Sequence, residues 1–85
     1  MGTYKVVNKI RLSHSMKDVI LRMRQKRPKR SLFWNYRYNG WFLDQDGVNN
    51  KTGDALFNAG LIHMVVNVAA FSRYELTELG KTIEL

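Results

Sequence analysis

The stretch Ser31-Leu32-Phe33-Trp34-Asn35-Tyr36-Arg37-Tyr38-Asn39-Gly40-Trp41-Phe42-Leu43-Asp44-Gln45 decides how the chain is read. Two aromatic-rich runs flank Asn39-Gly40, and Asn-Gly between such runs is the strongest short-range signal for a β-hairpin, because a type I′ turn needs positive φ at both central positions. A two-residue turn there sets Tyr38 against Trp41, Tyr36 against Leu43 and Trp34 against Gln45 on one face. Arg37 then opposes Phe42, and Asn35 opposes Asp44, on the other. One face is a large aromatic surface and the other is mixed.

Downstream, Asp46-Gly47-Val48 reads as a turn, and Asn49 or Asn50 as the cap of a helix over about residues 51–59, with Ala55, Leu56 and Ala59 on its apolar face. Gly60 stands where a left-handed residue ends such a helix. His63 to Ala69 and Ser72 to Leu76 read as a strand pair turning near Ala70, with Met64, Val66 and Val68 alternating on one face. Thr77 caps a last segment, Glu78 to Leu85, interrupted by Gly80.

Upstream, Tyr4 to Ile10 has the composition of a short charged edge strand. Ser15 with Asp18 forms a capping-box pattern, and Met16, Val19, Ile20 and Met23 recur at helical spacing, which predicts a helix over about 16–26. Pro28 stops it by disfavouring helix at Arg27.

Eighty-five residues hold one domain, 1–85, too small for a large enclosed catalytic cleft. There is no cysteine, so neither a disulfide framework nor a thiolate metal site is available. No apolar run approaches the roughly 20 residues that span a bilayer, nor is there a signal-peptide core. The expectation is a cytoplasmic, non-secreted protein that takes no cofactor or metal and makes no membrane contact. His14 and His63 are too few and too far apart for acid-base or metal work, and no carboxylate pair or serine constellation accompanies them, which argues against an enzyme.

The formal charge is +7, unevenly placed. Residues 1–30 carry ten Lys and Arg with Asp18 the one acid, whereas residues 31–85 carry four bases and six acids. A basic half on a small domain points to a polyanionic partner, nucleic acid ahead of an acidic protein or a membrane surface.

The segment Thr52 to Ile62 (Thr-Gly-Asp-Ala-Leu-Phe-Asn-Ala-Gly-Leu-Ile), followed by Tyr74 to Ile83 (Tyr-Glu-Leu-Thr-Glu-Leu-Gly-Lys-Thr-Ile), resembles the C-terminal half of a winged-helix domain over about residues 50–83. In that family a third helix ends in Ala-Leu-x-x-x-Gly-Leu-Ile and a β-wing leads to Tyr-x-Leu-Thr-x-x-Gly. Here the aromatic hairpin stands where a standard winged helix has its second helix. The resemblance implies a small α+β winged-helix-like domain, with the aromatic hairpin between helix 1 and helix 2 and a C-terminal wing hairpin. It further implies double-stranded DNA binding with a transcription-regulatory role, in the style of phage-encoded modules or small regulators; a phage origin would place the protein in the host cytoplasm.

The candidate phosphate anchors are Lys17, Arg22, Arg24, Lys26, Arg27, Lys29 and Arg30, six of them within residues 22–30. The competing reading is a solvated helix end with cations near its last carbonyls. By the resemblance, helix 51–59 is the reader, offering Asn50, Lys51, Thr52 and Asn58, while Arg73 near the wing tip would reach phosphate or the minor groove. An ordinary core helix and a lone surface arginine are the alternatives. The hairpin aromatics are core residues first, with Tyr38 and Trp41 at the tip the candidates for partner contact. Two other functions stay open: a protein-interaction module, such as a phage-encoded factor modulating an acidic host protein, and RNA binding through the basic segment and the aromatics. A homodimer is compatible with either.

Overall fold

The computed structural model describes residues 10–85. Their elements, in chain order, are α1 (His14–Arg24), β1 (Leu32–Asn35), β2 (Gly40–Leu43), β3 (Asp46–Val48), α2 (Asn50–Asn58), β4 (Ile62–Asn67), β5 (Phe71–Leu76) and α3 (Glu78–Thr82). The strands form one sheet in the order β3-β2-β1-β5-β4, antiparallel at every pairing. The domain is therefore α+β, three helices with a five-stranded antiparallel sheet. The edge strand expected over Tyr4 to Ile10 lies, apart from Ile10, outside the described residues.

The central hairpin forms, but in another register. Asn35 Oδ1 accepts from the amides of Arg37 at 2.9 Å and Tyr38 at 3.1 Å, an Asx turn that ends β1 at Asn35. Four residues, Tyr36 to Asn39, then connect the strands. Asn39 alone takes the left-handed conformation, at φ 49°, and Gly40 opens β2. Leu32 thus faces Leu43, Phe33 faces Phe42 and Trp34 faces Trp41, in place of the Tyr38–Trp41 pairing. Trp41's partner moves by four residues, an even number, so the two faces survive the correction. Asp46 to Val48 is a third strand rather than a turn. The reversal falls at Asp44-Gln45, where Asp44 adopts φ 55°, and Asp44 also exchanges bonds with the Ser31 backbone.

Helix α1 begins two residues earlier than expected. Ser13, not Ser15, is the cap and accepts from the Met16 amide at 3.1 Å, which frees Asp18 to pair with Arg22 at 3.2 Å instead of closing a capping box. Its stripe of Met16, Val19 and Ile20 is buried, as the spacing requires. Asn49 caps α2 by accepting from the Lys51 amide, and Gly60, at φ +73°, reverses the chain behind it.

In the wing, β4 and β5 pair from Ile62–Leu76 outward, but a register shift between Met64 and Val66 breaks the expected alternation. Met64 pairs with Tyr74 and Val66 with Arg73, neighbours on opposite faces, so Met64 and Val66 do not share a face. Thr77 caps α3 through Gly80 N at 3.1 Å and donates to the Gly60 carbonyl, tying the last helix to the end of α2.

The sheet is covered on one side. Leu32, Trp41 and Leu43 point into a core completed by Met16, Val19 and Ile20 from α1, Leu56 from α2, and Leu61, Ile62 and Leu76. A Cβ added at Gly53 would collide with the Trp41 ring, so α2 lies directly on the indole. Ala exceeds Gly in helix propensity by about 1 kcal/mol, so a free helix face would gain from Gly53→Ala. Here the clash should outweigh that gain and leave a net loss of about 1–2 kcal/mol in chemical denaturation; a stabilised variant would show that the ring yields.

Candidate nucleic-acid interface

After Arg24 the chain reverses tightly, with a bridge between Lys26 and Lys29, before entering β1. That reversal exposes Lys26, Arg27 and Lys29 side by side. It sits at the end of the sheet opposite the hairpin and wing tips, which approach each other through the Tyr36 amide and the Ala70 carbonyl.

The expected anchors divide into two groups. Arg22 is paired with Asp18 at 3.2 Å and Asp46 at 3.7 Å, and Arg30 with the same Asp46 carboxylate at 3.2 Å. Arg24 is a structural clamp: its guanidinium donates to the Gly80 carbonyl at 3.3 and 3.0 Å and to the Ile83 carbonyl at 2.7 Å, fastening the C-terminal segment to α1. Lys26, Arg27 and Lys29, together with half-buried Lys17, have no acidic partner among the described residues. The set of cations without an acidic partner among the described residues is thus narrower than the run 22–30 suggested.

The expected reader helix is largely committed to the fold. Thr52 is only 8% exposed and cannot reach a groove, a correction to its place in the reader set that follows from α2 packing closely on α1 and the hairpin. Asn50 is surface-exposed, yet its amide donates to the Asn39 carbonyl at 3.0 Å and its Oδ1 accepts from the Trp41 amide at 3.4 Å. Asp54 accepts from Trp41 Nε1 at 2.8 Å. Lys51 and Asn58 are exposed. Arg73 lies inside β5 opposite Phe33 rather than at the wing tip, and bonds Glu75 at 2.7 Å.

Among the aromatics, Tyr38 is 66% exposed and stays available, with the Arg37 guanidinium 5.7 Å from its ring centre. Trp41 is 5% exposed and is not a contact residue, because the corrected register carries it from the hairpin tip to the middle of the core. It centres a chain of edge-to-face contacts, Trp34 at 5.3 Å and Tyr74 at 4.9 Å, with Phe57 continuing from Tyr74 at 5.9 Å. The helix-free face carries half-buried Phe33, Phe42 and Phe71.

Two features have no local sequence signature. Lys81, in α3, joins the basic end although it lies some fifty residues from it in sequence. Phe57, Met64, Val65 and Val68 are exposed apolar residues in and beside a wing whose first half, Leu61 to Ala70, carries no Lys, Arg, Asp or Glu. Among the described residues no group of His, Asp and Glu could hold a metal ion, and no helix is long and apolar enough to cross a membrane.

No protein-family model, curated protein or solved structure matches the chain.

Burial, and to a smaller degree neighbouring Tyr36, pushes the Tyr74 phenol above its ordinary value of 10.0. Because the folded state holds that proton more tightly, its contribution to stability is complete below the ordinary tyrosine pKa and is lost as pH rises past it. Ultraviolet titration of the folded protein should show a late component that Tyr74→Phe removes; a late component that survives the substitution would contradict the assignment.

Proposed function

We propose that the chain is a nucleic-acid-binding module that takes duplex DNA, with the reversal Lys26 to Lys29 as its phosphate anchor and a regulatory role in transcription. The observation that carries the reading is the segregation of charge: three exposed cations without acidic partners among the described residues, in a protein of net charge +7, at the end of the sheet away from both hairpin tips. Such an array neutralises phosphates and releases counterions.

The winged-helix resemblance is supported by the order of elements after Asn49, a helix, the left-handed Gly60 and an antiparallel wing returning through Leu76-Thr77 to the core. It is weakened where β1 to β3 replace a second helix. With Thr52 buried and Asn50 and Asp54 engaged by the hairpin, Lys51 and Asn58 are what α2 offers to bases. Binding is therefore mainly electrostatic, with modest sequence preference.

A second reading, a protein-interaction module, is favoured by the uncharged wing strand and the exposed side chains of Phe57, Met64, Val65 and Val68. RNA binding has a narrower basis, the half-buried aromatics of the helix-free face beside exposed Tyr38.

Fluorescence anisotropy on a duplex at several salt concentrations tests the proposal. Each of Lys26→Ala, Arg27→Ala and Lys29→Ala that removes one phosphate contact should lower the log-log salt slope by about 0.9. Lys51→Ala should alter discrimination between duplex sequences more than it alters the slope. Absence of binding at low salt, or a slope indifferent to all three anchor substitutions, overturns the reading, and a nuclease-resistant stoichiometric protein partner would favour the second.

A further inference from the structure

Between the end of α1, the reversal, the end of β5 and α3 lies an open depression of about 450 Å³, lined by Arg24, Lys26, Lys29, Arg30 and Lys81, with Glu75 the one acid among the described residues that line it. We propose that this depression is a phosphoryl-binding clamp, rather than one part of a diffuse basic surface. The inference rests on the nucleic-acid reading and names the site within it.

Three observations converge on a compact anion. Among the described residues the lining carries five cations and Glu75, whose carboxylate is already held by Arg73 at 2.7 Å; Arg30 pairs with Asp46 at 3.2 Å and Lys81 with Glu78 at 3.8 Å, which leaves Arg24, Lys26 and Lys29 without an acid. Like charges gathered around one depression repel each other, and a group carrying two negative charges relieves that repulsion. Arg24 is preorganised, since bonds to the Gly80 and Ile83 carbonyls fix its guanidinium, and a fixed cation loses little entropy when a ligand arrives. The Nε of Arg30 is buried with no hydrogen-bond partner among the described residues, whereas its Nη1 bonds Asp46. A buried unpaired donor is costly, and guanidinium geometry matches two phosphoryl oxygens.

The ligand class is a phosphoryl group bearing at least two charges on adjacent oxygens or linked phosphates. In a nucleic acid it comes from a strand's terminal phosphate monoester or from neighbouring backbone phosphates. Lys81 makes the clamp depend on α3, so the C-terminal segment takes part in binding as well as in the fold.

Isothermal titration of the full chain with inorganic pyrophosphate, against sodium chloride at matched ionic strength, tests the clamp. Saturable binding is expected, weakened about threefold by Lys81→Ala, a half-exposed side chain whose loss spares the core. Arg30→Lys, which keeps the charge but removes Nε, should weaken it about tenfold, the loss of one charged hydrogen bond. Arg37→Ala, at the exposed hairpin tip, should have no effect. Heats equal to those of sodium chloride, or affinities unchanged by both lining variants, overturn the clamp. A duplex arm separates this from the parent reading. Duplex binding without pyrophosphate binding overturns the clamp alone, and pyrophosphate binding without duplex binding overturns the nucleic-acid reading alone. If both bind, tighter association of a 5′-phosphorylated duplex than of its 5′-hydroxyl twin supports a terminal phosphate as the source, and equal affinity supports the backbone.

Discussion

The seating of Trp41 is the contact on which the rest of the domain depends. Its indole lies against Gly53, donates Nε1–H to Asp54, and meets Trp34 and Tyr74 edge-on, so one side chain joins the hairpin, α2 and the wing. The bond satisfies a polar group that burial would otherwise leave costly, and the missing Cβ at residue 53 lets the helix approach that closely. Asn50 repeats the connection one turn earlier through the Asn39 carbonyl and Trp41 amide. A helix held this tightly by its polar residues has few side chains left for any partner, and of the side chains expected to read bases only Lys51 and Asn58 stay free of the fold.

A second fastening operates at the opposite end. Arg24 ties α3 to α1, Thr77 ties α3 to the carbonyl of Gly60, and Gly80 lies so near the Leu61 carbonyl that no side chain fits there. This packing brings Lys81 beside the basic reversal. Charge remote in sequence thus becomes adjacent in space, with Lys81, paired to Glu78 at 3.8 Å, set beside Lys26 and Lys29.

Much of the fold was legible. The Met16, Val19 and Ile20 stripe, the left-handed Gly60 and the Thr77 cap each follow from spacing or from one residue's conformational preference, and these features placed α1 and α2 to within about two residues; α3 starts where expected but ends at Thr82 rather than Leu85 and runs through Gly80 instead of being interrupted there. The hairpin register was not, because Asn39-Gly40 and the Asx turn of Asn35 compete for the same reversal, and a side chain accepting two amides decides it. The bulge after Met64 was equally hidden, since Val65 and Val66 fit either register. At the site, the sequence shows where cations are but not which are already bonded within the fold. Arg22, Arg24 and Arg30 look like Lys26, Arg27 and Lys29 until Asp18, Asp46 and two backbone carbonyls are brought to them.

The central claim is that nucleic acid meets the basic end of the domain and not the exposed face of α2. Backbone amide shifts of the isotopically labelled protein, followed while a duplex is added, test it most directly. The account predicts that the perturbed amides concentrate at residues 26–30 and around Lys81, with smaller changes at Lys51 and Asn58. Perturbations centred on α2 and the wing while residues 26–30 stay still, or no saturable change at all, would contradict it.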